Sequence, residues 1–268
     1  MAGMDGPAEI DFDAPATARI YDYVLGGALN FAADRETARE LLKILPGYRD
    51  FAVANRAFLR RALLNLLDAG IRQFLDLGSG VPTVCPVHEV VHKFDPTCRV
   101  VYVDKDPVAT EYSRIITAED DRLGVVMADM CDVDQVLGHD VTREVLDFTQ
   151  PIGLLMVAVL HFVPDSVQAA DILAAYHDRL PVGSQLAASH ATGDSLGATV
   201  TAVAEKKFAL AGVNVITRSR SQFSALLGPW RIAEDGVRHT NQWRPEDEPD
   251  QCGEASLGYA LLATSTRT

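Results

Sequence analysis

Cysteine and tryptophan are scarce in this chain of 268 residues, which has four of the first and two of the second. Cys85, Cys98, Cys131 and Cys252 stand far apart and form no Cys-x-x-Cys pair. That spacing argues against a zinc site or a disulfide framework, so no metal is expected, and it fits a reduced, cytoplasmic compartment. Basic residues are short as well: 24 Lys and Arg against 37 Asp and Glu leave a net charge of −13. A nucleic-acid or anionic-membrane surface needs a basic face, so neither partner is expected. No apolar run is long. The longest, Ile152 to Val163, is broken by Gly153 and His161 and is too short to cross a bilayer. The stretch Met1 to Asp13 has no basic region followed by an apolar one, so no signal peptide is expected. Internal repeats and low-complexity tracts are absent too.

What is present is a hydrophobic content of 48%, enough for the core of one large α/β domain. Residues 1–15 are rich in Gly, Pro, Ala and Asp and read as a flexible tail. Residues 16–70 read as a helical cap. A first helix starts at Ala16 and ends at Gly26-Gly27. A second opens with Asp34 as its N-cap and carries Ala38, Leu41, Leu42 and Leu45 at helical spacing. A third runs from about Phe51 to Asp68, with Phe58, Leu59, Ala62, Leu63, Leu66 and Leu67 as its apolar stripe.

From residue 71 to 268 strands and helices alternate. Strands are expected at 74–77, 99–103, 125–128, 152–160 and 185–189, and two more near 230–237 and 257–263. Intervening helices should bury Val87, Val90, Val91 and Phe94, then Val108, Tyr112, Ile115 and Ile116, with Asp106 and Pro107 opening the second of these. The alternation predicts a doubly wound, mostly parallel sheet with right-handed crossovers. The last two strands, with no helix between them, predict an antiparallel pair at the C-terminal edge.

The stretch Phe74-Leu75-Asp76-Leu77-Gly78-Ser79-Gly80-Val81-Pro82-Thr83 organises the rest. It reads as a buried strand entering a glycine loop, with Pro82 and Pro86 suited to a helix opening. A dinucleotide fingerprint requires a third glycine where Thr83 stands. An acid two positions before the first glycine would repel a pyrophosphate but suits a cationic ligand. The ammonium and sulfonium groups of S-adenosylmethionine are cationic. Asp104 closes the second strand, where a carboxylate can hold both ribose hydroxyls. Asp129 closes the third, within reach of an adenine amino group. In open α/β sheets, ligands bind at these carboxyl ends.

Several further segments carry a resemblance. They are Ala18-Arg19-Ile20-Tyr21-Asp22-Tyr23 with Gly26-Gly27, Asn30-Phe31-Ala32-Ala33-Asp34-Arg35 and Asn55-Arg56-Ala57-Phe58. Val101-Tyr102-Val103-Asp104-Lys105-Asp106-Pro107, Val159-Leu160-His161-Phe162-Val163-Pro164-Asp165, Ser189-His190 and Trp243-Arg244-Pro245 add to them. Over residues 16–264 the chain resembles the actinobacterial DUF574 (Methyltransf_19) family of S-adenosylmethionine-dependent methyltransferases. The resemblance implies a class I methyltransferase, Rossmann-like fold with an N-terminal helical lid, and S-adenosylmethionine as cofactor. It names no acceptor. The candidate cofactor-binding residues are Tyr21, Asp76, Gly78, Ser79, Gly80, Pro82, Asp104, Lys105, Asp129, Met130 and Leu160.

Methyl transfer to an oxygen or nitrogen of a small molecule needs positioning, and a base only when the acceptor is poorly ionised. His161 and His190 follow adjacent buried strands. His161 is the candidate base or substrate contact, and His190 a candidate substrate contact. Tyr23, Asn30, Arg35 and Arg56 are candidate substrate contacts from the cap. Two other readings stay open. One is a catalytically silent, S-adenosylmethionine-binding regulator. The other is an NAD-dependent oxidoreductase, disfavoured by Thr83 and by the lack of a Tyr-x-x-x-Lys pair after the fourth strand.

Overall fold

The computed structural model describes residues 11–163, 165–210, 212–245 and 256–266. Most of the expected tail and Cys252 therefore lie outside the described residues. Three helices come first: α1 (Thr17–Leu25), α2 (Ala32–Ile44) and α3 (Tyr48–Asp68). Five parallel strands follow: β1 (Gln73–Leu77), β2 (Arg99–Asp104), β3 (Leu123–Met127), β4 (Gly153–Val157) and β5 (Gln185–Ala191). Between them run α4 (Val87–Phe94), α5 (Pro107–Thr117), the short pair α6 (Val133–Gly138) and α7 (Asp140–Val145), and α8 (Ser166–Arg179). Then come α9 (Ala198–Leu210), α10 (Arg220–Ala225), β6 (Trp230–Ile232), β7 (Arg238–His239) and β8 (Gly258–Ser265).

The sheet order is β3-β2-β1-β4-β5-β8-β6, with β7 also paired to β8. Strand β8 is antiparallel to β5, β6 and β7. The expected strand over 230–237 forms only over 230–232, and a second short strand, β7, begins just after it at Arg238. Gly236, at φ +66°, bonds its N–H back to the carbonyl of Ala233 and turns the chain between them.

Strand alternation sorts the core into two layers. Leu75, Leu77, Val101 and Val103 face one side and pack with Tyr176, Phe223 and Trp230. Phe74, Val100 and Tyr102 face the other and pack under Phe58, Leu63, Leu66 and Leu67 of α3, with Val87 and Val91 of α4. Asp76 shares the parity of Phe74, so its carboxylate emerges on the α3 side. A third cluster joins Ile20, Val24, Leu41, Tyr48 and Phe51 of the N-terminal helices to Phe208, Val213 and Val215. The N-terminal helices thus roof the sheet jointly with α9 and the segment after it.

Several local expectations are corrected. Asp34 is not an N-cap: Phe31 holds that position, and Asp34, two residues into the helix, accepts the Phe31 N–H at 2.8 Å. Phe94, Ile115 and Ile116 are exposed rather than inward, because α4 buries Val87 and Val91, and α5 buries the face carrying Val108, Ala109, Thr110, Ser113 and Thr117. Asp106 does cap α5, accepting from the N–H groups of Val108 and Ala109 at 2.8 and 3.1 Å, with Pro107 as the first helical residue. Arg244 forms an ion pair with Asp235 at 2.8 Å and lies over the Trp243 ring. Among the described residues no helix is long and apolar enough to cross a membrane.

Candidate active site

A cavity of about 520 Å³ opens above the carboxyl ends of β1–β4, beneath the helical roof. Its floor begins at the glycine loop. Gly78 and Gly80 both adopt positive φ, +67° and +65°. The N–H groups of Gly78 and Ser79 donate to the carbonyl of Val103, and that of Gly80 donates to Asp104 Oδ2 at 2.7 Å. The loop is folded onto the end of β2, which brings Asp76, Ser79, Asp104 and Lys105 onto one wall. At Gly78 a Cβ would lie 2.4 Å from Val159 Cγ2. Gly78→Ala should therefore cost roughly 2–3 kcal/mol of stability, from the left-handed backbone plus overpacking. Chemical denaturation would check it, and a change below the experimental error would show that Val159 yields freely.

The glycine loop does not run directly into a helix. Residues 81–86 form a turn, Pro86 is the N-cap of α4, and Pro82 is not on the cavity wall. The turn is instead held to the roof, since Thr83 Oγ1 donates to Asp22 Oδ1.

Three carboxylates share the floor in different states. Asp76 is 6% exposed, and no hydrogen bond reaches its carboxylate among the described residues. Burial pushes its pKa up to about 7, with Arg56 nearby opposing the shift and Asp104 adding to it. Asp104 is also pushed up by burial, an effect opposed by the N–H groups of Asp106 and Gly80 that it accepts. Burial opposes the ionisation of Asp129. The Cys131 N–H and the Lys105 ammonium at 3.2 Å nevertheless hold its pKa below the usual value.

Above Asp76 a buried polar chain ties roof to sheet. The Tyr21 hydroxyl donates to the carbonyl of Ala52 at 3.2 Å and accepts from Asn55 Nδ2 at 3.0 Å. Asn55 Oδ1 accepts from Ser189 Oγ at 2.6 Å, and Ser189 Oγ accepts the N–H of Ala158 at 2.8 Å. Burial raises the Tyr21 pKa, so the phenol stays protonated. The Arg56 guanidinium lies 5.7 Å from the centre of the Tyr21 ring, and its Nε is buried with no partner.

The chain from β4 into the cavity bends earlier than its apolar run predicts. β4 ends at Val157, Ala158 takes φ +58°, and Leu160–Phe162 form a 3₁₀ turn. The Ser189 bond to Ala158 fixes this bend. His161 therefore reaches the cavity from a turn and not from a strand end. Its Nδ1 accepts the Ala191 N–H at 3.3 Å, which leaves the ring proton on Nε2. Burial, His190 and Arg218 all hold its pKa well below the usual value, so the ring is neutral and presents a donor.

His161, Tyr21, Asp76, Gly78, Ser79, Gly80, Asp104, Lys105, Asp129, Met130 and Arg56 come together on this one wall. Leu160, Tyr23, Asn30, Arg35 and His190 do not. Leu160 is fully buried in the core below the sheet. Tyr23 faces Arg39, whose guanidinium sits 5.6 Å from its ring centre. Asn30 Nδ2 donates to Asp22 Oδ2 and the carbonyl of Gly27, and Arg35 in turn holds the carbonyl of Asn30. Both residues lock the α1–α2 turn. His190 has no exposure: its Nε2 accepts from Arg218 at 2.8 Å, and its Nδ1 donates to the carbonyl of Ala191. Burial pushes its pKa down to about 4, so it is a neutral packing residue.

Asn55 and Asp22 are site residues that the sequence reading did not single out. For Asn55 a signal existed, a polar residue inside the apolar stripe Phe51, Phe58, Leu59. Asp22 had none. Among the described residues no group of three or more His, Cys, Asp or Glu is placed to hold a metal ion.

Among known proteins, the S-adenosyl methyltransferase family matches residues 4–266. A candidate methyltransferase from Thermobifida fusca is 34% identical, with 99% of this chain and 100% of that one aligned at a TM-score of 0.89. A DUF574 family protein from Streptomyces avermitilis is 31% identical, over 96% of this chain and 100% of that one, at 0.90. Human N-acetylserotonin methyltransferase, crystallised with S-adenosylmethionine, shares the fold at 14% identity and a TM-score of 0.51, over 95% of this chain and 64% of that one. No curated protein matches the chain.

Proposed function

The chain belongs to the S-adenosyl methyltransferase family, and from that premise we propose that it methylates an oxygen or nitrogen of a small molecule in the cytoplasm. Its cofactor is S-adenosylmethionine. The observation that carries the reading is Asp76, a buried carboxylate without a hydrogen bond at the cavity floor, beside a buried guanidinium nitrogen without one. Both are incomplete, and an amino-acid zwitterion completes both: its ammonium would meet Asp76 and its carboxylate Arg56. Asp104 would take the ribose hydroxyls and Asp129 the adenine amino group, with Met130 along the adenine. When bound, S-adenosylmethionine supplies a methyl group already activated by positive sulfur. The chain's own part is to orient the acceptor, exclude water under the roof, and offer the neutral N–H of His161. His161 then orients an acceptor atom. As a tautomer protonated at Nε2 it does not take the acceptor's proton.

Calorimetry tests the cofactor site, with micromolar binding expected for S-adenosylhomocysteine and none for NAD. Labelled methyl transfer into a metabolite extract tests catalysis. Tight binding with persistent absence of product would make the chain a cofactor-binding regulator.

Asp76 adds a pH signature. In the free protein it is half protonated near pH 7. A cationic group favours the ionised form, so affinity should rise with pH up to about 7 and then level off. Binding at pH 6 should release close to one proton per S-adenosylhomocysteine, and at pH 8 almost none. Titrations in two buffers of different ionisation enthalpy read this number directly, and Asp76→Asn should remove it.

A further inference from the structure

The acceptor half of the cavity has its own chemistry, and from it we infer that the methyl acceptor is an uncharged, mainly apolar ring compound. This rests on the methyltransferase reading above. The cavity divides along the line of Tyr21, Asn55 and His161. Below it lie the carboxylates of the floor. Above it, between the N-terminal helices, α9 and residues 212–217, the wall is Tyr48, Phe51, Phe162, Phe208, Val213 and Val215. Tyr48 stacks with Phe51 at 6.3 Å and meets Phe208 edge-on at 5.7 Å. Such walls present ring faces and edges to a flat ligand.

The distribution of charge decides the sign. Among the described wall residues two side chains are basic, Arg56 and Lys105. Both belong to the floor, Arg56 over Tyr21 and near Asp76, and Lys105 paired with Asp129. On the roof side there are two carboxylates: Asp22, which accepts from the Leu29 N–H, Asn30 Nδ2 and Thr83 Oγ1, and Glu205, whose Oε1 accepts from both the N–H and the Oγ1 of Thr217, at 2.8 and 2.7 Å. A carboxylate, phosphate or thioester-linked nucleotide tail placed here would lose water and gain no counter-charge. A cation would find at most the second oxygen of Glu205, since its Oε1 and both oxygens of Asp22 already accept hydrogen bonds. A neutral ring system incurs neither cost and gains from apolar burial. The remaining polar groups, His161, Thr192, Thr201 and Asn214, are neutral and suit hydroxyl or carbonyl groups on such a ring.

The test uses the full chain saturated with S-adenosylhomocysteine and three probes of one shape: 2-naphthol, 2-naphthoate and 2-naphthylmethylammonium. Calorimetry should show 2-naphthol binding at least tenfold more tightly than either ion. A preference for an ion, or no binding of 2-naphthol, would overturn the inference. Val213→Lys places a cation in the wall and should shift the naphthoate-to-naphthol affinity ratio at least tenfold toward naphthoate. Unchanged S-adenosylhomocysteine affinity in that variant reports an intact fold, and an unmoved ratio would mean that the probes bind elsewhere. The two readings fail separately. Loss of S-adenosylhomocysteine binding in the unaltered chain sinks the methyltransferase site, whereas the wrong probe ranking in saturated protein sinks only the acceptor class.

Discussion

Asp104→Ala is expected to lower the affinity for S-adenosylhomocysteine by two to four orders of magnitude. The carboxylate would hold two ribose hydroxyls, and hydrogen bonds to a charged group contribute about 1.5–3 kcal/mol each. At about 1.4 kcal/mol per decade, two such bonds give that range. Asp104 also shapes the free site, because it accepts the N–H groups of Gly80 and Asp106 at 2.7 and 2.9 Å. A loss of affinity alone would therefore not separate a ribose contact from a loosened glycine loop. A ligand-side change does. The native protein should favour S-adenosylhomocysteine over its 2′-deoxy analogue by at least tenfold, and the Asp104→Ala protein should bind the two alike. If discrimination survives the substitution, the ribose lies elsewhere on the floor.

Much of the floor was legible in the sequence because its signals are local. Strand β1, the glycines after it and the acids following β2 and β3 fall within short windows, where period-two apolar patterning and strand-end position place a side chain. The Asp106–Pro107 helix start is equally local. The residues that went astray answer to distant partners. Ser189 bends β4 at Ala158 and bonds Asn55, which lies 134 residues earlier in the chain. No window along the sequence contains both. The same holds for His190, which looked like a site residue at the end of the expected strand 185–189 but lies within β5 and is turned away by Arg218. Asn30 and Arg35 are polar because they lock a turn, a need that a substrate contact would imitate in sequence. The upper cavity was the least legible part. Half of its wall comes from α9 and the irregular segment 212–217, whose role depends on meeting Tyr48 and Phe51 across the fold. Periodicity reports that a residue is buried and leaves its partners open.

Arg19→Ala should destabilise the protein by about 3–5 kcal/mol, because it leaves a buried carboxylate without its cation. Arg19 is 4% exposed and Asp34 has no exposure. Arg19 Nε meets Asp34 Oδ2 at 2.9 Å, Nη1 meets Asp106 Oδ2 at 3.4 Å, and Nη2 donates to the carbonyl of Ala14 at 2.6 Å. Asp34 keeps the N–H groups of Ala16 and Phe31 at 2.8 Å each, which favours the lower end of the range. At roughly 2–4 °C per kcal/mol for a chain of this size, the melting temperature should fall by about 6–12 °C at the lower figure. The double substitution Arg19→Met with Asp34→Asn should recover part of that loss, since the amide carries no charge and its oxygen still accepts one of the two N–H groups. A fall of less than about 1 kcal/mol for Arg19→Ala would place the pair among weak surface bridges. The consequence for function follows from position. Arg19 joins α1 to Asp106, two residues from Asp104, while Asp22 on the same helix holds Thr83 beyond the glycine loop. These two ties seat α1, and with it Tyr21, over the cavity floor. Loosening one of them should weaken S-adenosylhomocysteine binding even though Arg19 itself does not line the cavity, and calorimetry below the new melting temperature would read that coupling.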